Sequence, residues 1–142
     1  MNKEAKTTII TRLFDAPRPL VFECWLKPEH LLHWYSAGGG WTTPYAETDP
    51  RQGGRFKIGF AAPDGKGSFD FTGSYTEVKV PERIVFTIDD GRPVTVDFTE
   101  QGGKTQITLT LTLESLHSEE QQRHGWDAML ANLETYLQGR AA

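Results

Sequence analysis

Cysteine is almost absent from this sequence of 142 residues, which contains Cys24 alone. A single cysteine cannot form an intramolecular disulfide, so no disulfide framework supports the fold. Cys24 lies three residues after Val21 on one predicted helical face, which favours a buried small side chain over a nucleophile. A chain of this length buries roughly 68–70% of the surface that its unfolded form exposes. The sequence therefore predicts one globular domain over residues 1–142.

Long apolar runs and clusters of basic residues are also lacking. No stretch approaches the roughly 18 consecutive apolar residues of a membrane-spanning helix. Met1–Arg12 carries charged residues and lacks the apolar run of a secretory signal. The 19 acidic and 15 basic residues are interspersed, without the basic block that nucleic-acid binding requires. We therefore expect a soluble cytoplasmic protein that binds neither a membrane nor nucleic acid.

Alternating apolar and polar residues predict that most of the chain forms β-strands. The clearest alternation runs from Ile107 to Leu113, with glutamine and threonine between the apolar positions. The alternation changes phase near Thr76 and Glu77, and a further strand is predicted from Trp41 to Thr48 between two turn clusters. Turn sequences rich in glycine, proline and aspartate separate the strands, which indicates a meander with one apolar face.

Two short helices are predicted directly after the first strand, which ends at Ala16. Val21, Cys24 and Trp25 have the i, i+3, i+4 spacing of one helical face. Pro28 suits the first position of the second helix, because its missing backbone N–H has no helical partner there.

The last segment is predicted to be one long helix with an apolar stripe. Ser118 and Gln121 form a capping box at its start, and Gly139 is a plausible stop. Gly125 borders the stripe, although glycine inside a helix costs about 1 kcal/mol relative to alanine. We therefore expect a neighbouring backbone to approach closely at Gly125. The stripe consists of Trp126, Met129, Leu130, Leu133, Tyr136 and Leu137.

Large rings on the inward strand positions and on the stripe indicate a cavity, because so many rings are hard to pack without a gap. Gln122 lies on the stripe one turn before Trp126, where its amide either bonds the backbone or faces a ligand. Arg12 is a second polar candidate. The predicted ligand-binding residues are Phe60, Phe71, Tyr75, Phe86, Phe98, Gln122, Trp126, Met129, Leu130 and Leu133.

Catalytic and metal-ligating side chains do not converge in the sequence. Asp70 and Asp97 lie at outward strand positions, which separates them from a cavity. His30 and His33 have a spacing that can present two imidazoles to a metal, but nearby residues supply no further ligands. No Lys-Ser/Thr follows the run Gly38–Gly40, so we interpret it as a loop at the cavity mouth. We predict no catalytic residues, no metal and no cofactor.

Several short motifs follow one another along nearly the whole chain, roughly from Thr8 to Leu137. The motifs are Phe14-Asp15-Ala16-Pro17, Val21-Phe22 with Trp25, Pro28-Glu29 with Trp34, Arg51-Gln52-Gly53-Gly54-Arg55, Gly73-Ser74-Tyr75 with Val78, Pro81-Glu82-Arg83-Ile84, Thr105 with the strand that follows it, and Gly125-Trp126 with Leu130 and Leu133. In this order and spacing, the sequence resembles the family of activator of Hsp90 (heat shock protein) ATPase homologues, within the START-like SRPBCC superfamily.

The resemblance implies an α+β helix-grip fold. In this fold a curved antiparallel sheet wraps a long carboxy-terminal helix, and two short helices close one end of a hydrophobic cavity. The shared motifs are mostly structural and carry over no catalytic residue. The larger eukaryotic activators resemble this sequence only in their carboxy-terminal domain, so we do not expect it to stimulate a chaperone.

Together these observations favour a small cytoplasmic binding protein that encloses an apolar or aromatic small molecule between sheet and helix. One alternative is a chaperone-interacting accessory protein, which would use the outer surface and leave the interior as core. A third interpretation is an enzyme of the cyclase or hydrolase kind, as found elsewhere in the superfamily.

Overall fold

The computed structural model describes residues 6–36, 40–64 and 66–141. Seven strands and three helices follow one another along these residues. They are β1 (Thr7–Phe14), α1 (Arg18–Cys24), α2 (Pro28–Trp34), β2 (Ala46–Thr48), β3 (Arg55–Phe60), β4 (Phe69–Lys79), β5 (Arg83–Ile88), β6 (Pro93–Gln101), β7 (Lys104–Thr112) and α3 (Glu119–Ala141).

All strands belong to one antiparallel sheet with the order β1-β7-β6-β5-β4-β3-β2. Strands β2 to β7 form a simple meander, whereas β1 joins its far edge by pairing with β7. The sheet is curved, and the long helix α3 follows the last strand. This architecture confirms the predicted α+β helix-grip fold.

The alternation read from the sequence sets the buried face of the sheet. Ile107, Leu109 and Leu111 of β7 are at most 2% exposed, and the residues between them face outward. The register between β4 and β5 shifts between Tyr75 and Glu77, which confirms the predicted change of phase. Such a β-bulge adds one residue to one strand and so reverses the faces beyond it.

Three predicted boundaries are wrong. Strand β1 ends at Phe14 and not at Ala16. The strand predicted from Trp41 to Thr48 is limited to β2, preceded by an isolated bridge between Thr42 and Ala61. Pro44 separates the two pairings, because it has no backbone N–H for the ladder. Helix α3 continues past Gly139, which does not adopt the positive φ of a helix-ending glycine.

Helix α3 is held to the sheet by its apolar stripe and by ion pairs to β1. Leu130 and Leu133 are fully buried. Arg12 of β1 donates to Glu134 at 3.0 Å and to Asp127 at 3.3 Å, so this sequence candidate anchors α3. Arg123 of α3 donates to the backbone oxygen of Ile9 at 2.9 Å. Within the described residues, no helix has both the length and the apolar character needed to cross a bilayer.

Helix α1 packs on strands β6 and β7, and helix α2 contacts both α3 and strand β2. Cys24 is buried, and its carbonyl accepts a 3.0 Å hydrogen bond from Nε1 of Trp34. Nδ1 of His30 in α2 shares a 2.7 Å hydrogen bond with the hydroxyl of Tyr136 in α3. These contacts fix the end of α2, where Tyr35 follows as the capping residue.

Candidate ligand-binding cleft

A cleft of about 340 Å³ lies between the beginning of α3 and one end of the sheet. Its walls come from the end of α2, from β3 and β4, and from the β5–β6 and β7–α3 connections. The loop predicted at the mouth, Gly38–Gly40, falls mostly on residues 37–39, which lie outside the described residues.

One wall of the cleft is aromatic. Phe60 and Phe71 stack with their ring centroids 5.8 Å apart and their planes within 5°. Trp126 of α3 faces Phe71 across a centroid distance of 6.4 Å. Met129 lies one turn further along α3 and is buried. Phe69, the first residue of β4, is 49% exposed. The cleft therefore presents rings at both its inner and its exposed side.

Gly125 lines the same cleft, and the predicted close approach of a neighbouring backbone is wrong. Among the described residues, a Cβ atom built on Gly125 would meet no atom within 4 Å. The space beside this glycine is therefore open, and it belongs to the cleft. A side chain at this position would project into that space, since no packing contact excludes it.

Charged and polar groups form the rim. Nε of Arg92 donates to Asp90 at 2.7 Å, and Nδ1 of His117 lies 3.1 Å from both carboxylate oxygens of Glu114. Partial burial raises the pKa of Glu114, but hydrogen bonds and charge from His117, with the charge of Arg92, bring it below its usual value. Glu114 is therefore ionised at neutral pH and orients the His117 ring.

Two glutamines join this rim to the start of α3. Ser118 and Gln121 form the predicted capping box, with reciprocal hydrogen bonds of 3.1 Å. Nε2 of Gln122 donates to the backbone oxygens of His117 at 2.9 Å and Glu114 at 3.1 Å. Its Oε1 accepts from the Glu114 backbone N–H at 2.9 Å. Gln122 thus makes the backbone bonds that were one of its predicted roles, and it also lines the cleft.

The structure brings half of the sequence-predicted ligand-binding residues to this cleft and places the others elsewhere. Phe98 packs edge to face against α1, with a ring distance of 5.0 Å. Leu130 and Leu133 are fully buried core residues that do not line it. Tyr75 and Phe86 line a separate inner void. Those at the cleft are Phe60, Phe71, Gln122, Trp126 and Met129.

The sequence interpretation missed the charged rim, because its residues lie in connections rather than in patterned strands. Arg92 follows the predicted Asp90-Gly91 turn, and Glu114 follows β7. Val94 pairs with Leu111, so the start of β6 lies beside the end of β7. A sequence signal did exist for this rim. Antiparallel pairing places the first residues of one strand beside the last residues of the next, so the residues flanking β6 and β7 could be expected to lie close together.

Behind the cleft lies an inner void of about 10 Å³. Trp25 borders it and is 4% exposed. Among the described residues, Nε1 of Trp25 finds no hydrogen-bond partner. A buried donor left unsatisfied costs about 1–3 kcal/mol. This indole N–H could therefore donate a hydrogen bond to a bound molecule. The void is lined by Trp25, Tyr35, Phe56, Ile58, Tyr75, Ile84 and Phe86.

Two of these residues carry hydroxyl groups that stay protonated. Burial raises the pKa of Tyr35 far above its usual value, and the nearby Tyr75 adds to the effect. Burial likewise raises the pKa of Tyr75, with a contribution from the charge of Asp49. Both side chains are therefore neutral phenols at neutral pH.

The described residues contain no group of three or more His, Cys, Asp or Glu side chains that could hold a metal ion. His33 stacks on the same Tyr136 ring that bonds His30, at a centroid distance of 5.4 Å. Asp70 and Asp97 lie on the outer face of the sheet, paired with Lys57 at 3.7 Å and with Arg83 at 2.7 Å. None of these four His and Asp side chains is among the described residues that line the cleft.

Comparison with known proteins identifies the family. Residues 15–138 match the profile of the Activator of Hsp90 ATPase homolog 1-like proteins. No curated protein sequence matches the chain. Among solved structures, the AHSA1-like protein from Aeromonas hydrophila is 34% identical, with a TM-score of 0.85 over 94% of both chains.

Two further solved structures are similar. A protein from Cytophaga hutchinsonii is also 34% identical, with a TM-score of 0.79 over 94% of this chain and 92% of its own. A protein from Nitrosomonas europaea is 22% identical and shares the fold, with a TM-score of 0.85 over 100% of both chains. The match of the family profile to most of the chain shows that this protein belongs to the Activator of Hsp90 ATPase homolog 1-like family.

Proposed function

We propose that this protein binds an apolar, aromatic small molecule in the cleft beside Gly125. The observation that carries the proposal is the open space next to this helical glycine, opposite the rings of Phe71 and Phe60. The volume of about 340 Å³ falls at the lower end of the range of small-molecule sites, roughly 300–1,000 Å³. Such sites are mostly apolar with a few placed polar groups, as in this cleft.

The energetics of Gly125 support the proposal. Glycine in a helix interior is less stable than alanine or leucine by up to about 1 kcal/mol. No atom of the residues that the structure describes requires a glycine here, because none of them lies within 4 Å of a built Cβ. Because glycine has no side chain, it leaves space in the cleft that alanine or leucine would fill. This space keeps the neighbouring Trp126 ring accessible to a ligand.

The rim supports an uncharged ligand. Arg92 is paired with Asp90, and the Glu114 carboxylate is bonded to His117 and to its backbone. The Arg92 guanidinium is therefore already engaged by a carboxylate, and both Glu114 oxygens lie within hydrogen-bond distance of His117, so the rim offers little attraction to an anionic ligand. Stacking and apolar contact with the rings of Phe60, Phe71 and Trp126 then dominate recognition.

We expect Gly125→Leu to fill the cleft and to weaken binding of N-phenylnaphthylamine, a neutral apolar fluorescent probe, by about tenfold or more. The same change raises helix propensity, so the free energy of unfolding stays equal or increases by up to about 1 kcal/mol. Probe fluorescence gives the affinity, and urea denaturation gives the stability.

Gly139→Leu is the matched control. Gly139 also lies in α3 with no atom within 4 Å of a built Cβ, but it does not line the cleft. This variant makes the same substitution near the end of α3, where the gain in helix propensity is smaller, and retains probe binding. The proposal fails if the unsubstituted protein takes up no probe, or if the two leucine variants bind it equally well.

The second candidate function is interaction with a chaperone, which is favoured by the family description matched over residues 15–138. The motifs that carry the sequence resemblance include turns and buried residues such as Trp25 and Trp34, which shape the fold rather than an outer surface. We therefore expect no significant acceleration of Hsp90 ATPase by this protein at micromolar concentration. A saturable, several-fold stimulation that surface charge reversals abolish would place chaperone binding first.

A further inference from the structure

The two tryptophans that lie between the short helices and the sheet differ in how their indole N–H groups are used. Nε1 of Trp34 donates to the carbonyl of Cys24 at 3.0 Å. The ring of Trp25 packs against that of Trp34 with a centroid distance of 5.0 Å. Nε1 of Trp25 nevertheless has no partner among the described residues, although it is fully buried. A partner from outside the chain would satisfy it.

We propose that the inner void beside Trp25 is a subsite for a neutral hydrogen-bond-accepting oxygen, such as a ketone or ester carbonyl, carried by the ligand of the cleft. The inference rests on the proposed function and adds a chemical class to it. It assigns the Trp25 indole as the donor and orients the ligand with its carbonyl innermost and its rings against Phe71.

Tyr35 connects the void to the cleft, since it lines both. On the cleft side its ring lies 5.9 Å from that of Phe60 and 6.1 Å from that of Phe71. On the inner side its ring centroid lies 6.0 Å from that of Trp25. Tyr35 therefore lies between the two spaces, together with Phe71, whose ring contacts those of Phe56 and Phe86 in the void.

The size of the void selects a small group. Its volume of about 10 Å³ corresponds to one water-sized sphere. A single oxygen atom fits this space, whereas an aromatic ring does not. The ring system of the ligand must then remain in the cleft of about 340 Å³.

The uncharged lining of the void, as far as the structure describes it, selects a neutral group. No cationic side chain is among the described residues that line it. The hydroxyls of Tyr35 and Tyr75 stay protonated, because burial raises the pKa of both. A carboxylate would lose its hydration there without a counter-ion, which disfavours an acid. A carbonyl oxygen loses far less and gains the bond from the indole.

Naphthyl methyl ketone and isopropenylnaphthalene form a matched pair of probes, since they differ mainly in the exchange of a carbonyl oxygen for a methylene group. We expect the ketone to bind the unsubstituted protein about tenfold more tightly than the hydrocarbon. Trp25→Phe removes the donor and should abolish this preference. Trp41→Phe, which alters a tryptophan outside the void, should retain it.

Indole NMR tests the same contact without a substitution, which matters if Trp25→Phe does not fold. The Nε1 proton of Trp25 should shift downfield when the ketone binds and should not do so with the hydrocarbon. Equal affinities for the two probes, or no selective shift, overturn the subsite and leave the proposed function standing. If neither probe binds, the proposed function itself fails and the subsite fails with it.

Discussion

Replacing Leu133 by alanine should lower the free energy of unfolding by about 2–5 kcal/mol. Leu133 lies in the middle of α3 and is fully buried under the sheet. The truncation removes apolar contacts and leaves a cavity that rigid strands can fill only in part. The midpoint of urea denaturation, measured at unchanged slope, reports this loss.

Gln138→Ala is the control on the same helix, because Gln138 is exposed and one turn away. Surface changes of this kind stay within about 0.5 kcal/mol. If Leu133→Ala denatured at the same urea concentration as the unsubstituted protein, α3 would not belong to the core. The cleft would then lack the wall that α3 provides.

Adding one methyl group at Gly54 should destabilise the protein by about 1–3 kcal/mol or more. A Cβ built on Gly54 would lie 1.9 Å from the backbone oxygen of Asp49. The turn cannot yield easily, because the Gly54 N–H donates to Arg51 at 2.8 Å and its carbonyl accepts from Tyr75 at 2.8 Å. Thermal or urea denaturation of Gly54→Ala measures the effect.

The matched comparison is the same methyl group at Gly125, where a built Cβ has no atom within 4 Å in residues 6–36, 40–64 and 66–141. Gly125→Ala should stabilise the protein by up to about 1 kcal/mol through helix propensity. Two glycines of one chain thus respond in opposite directions to one chemical change. Equal effects at both positions would contradict the geometry described for the turn and for the cleft.

Much of the fold could be predicted from the sequence, because local periodicity reports which face a residue occupies. Alternation identified the buried face of β7, and its change of phase located the bulge after Tyr75. The capping box at Ser118 marked the start of α3 within one residue. These features depend on backbone geometry over a few residues, and the chain encodes them locally.

The candidate site could be predicted only in part. Helical phase placed Gln122, Trp126 and Met129 on the side of α3 that lines the cleft. The same reasoning included Leu130 and Leu133, which are closed off in the core. Phase gives the direction of a side chain but not the distance to whatever faces it, so lining and core residues look alike in the sequence.

The sequence by itself determined most of the strands, the apolar face of the sheet and the stripe on α3, since each is written in short-range patterns, and the order and spacing of its motifs indicated the family. Only the tertiary structure decided that Gly125 faces open space and that Arg92 meets Glu114 and His117 at one rim. A cleft is a gap between elements that are distant in the chain. Its existence depends on how far a curved sheet holds them apart, and no local pattern contains that distance.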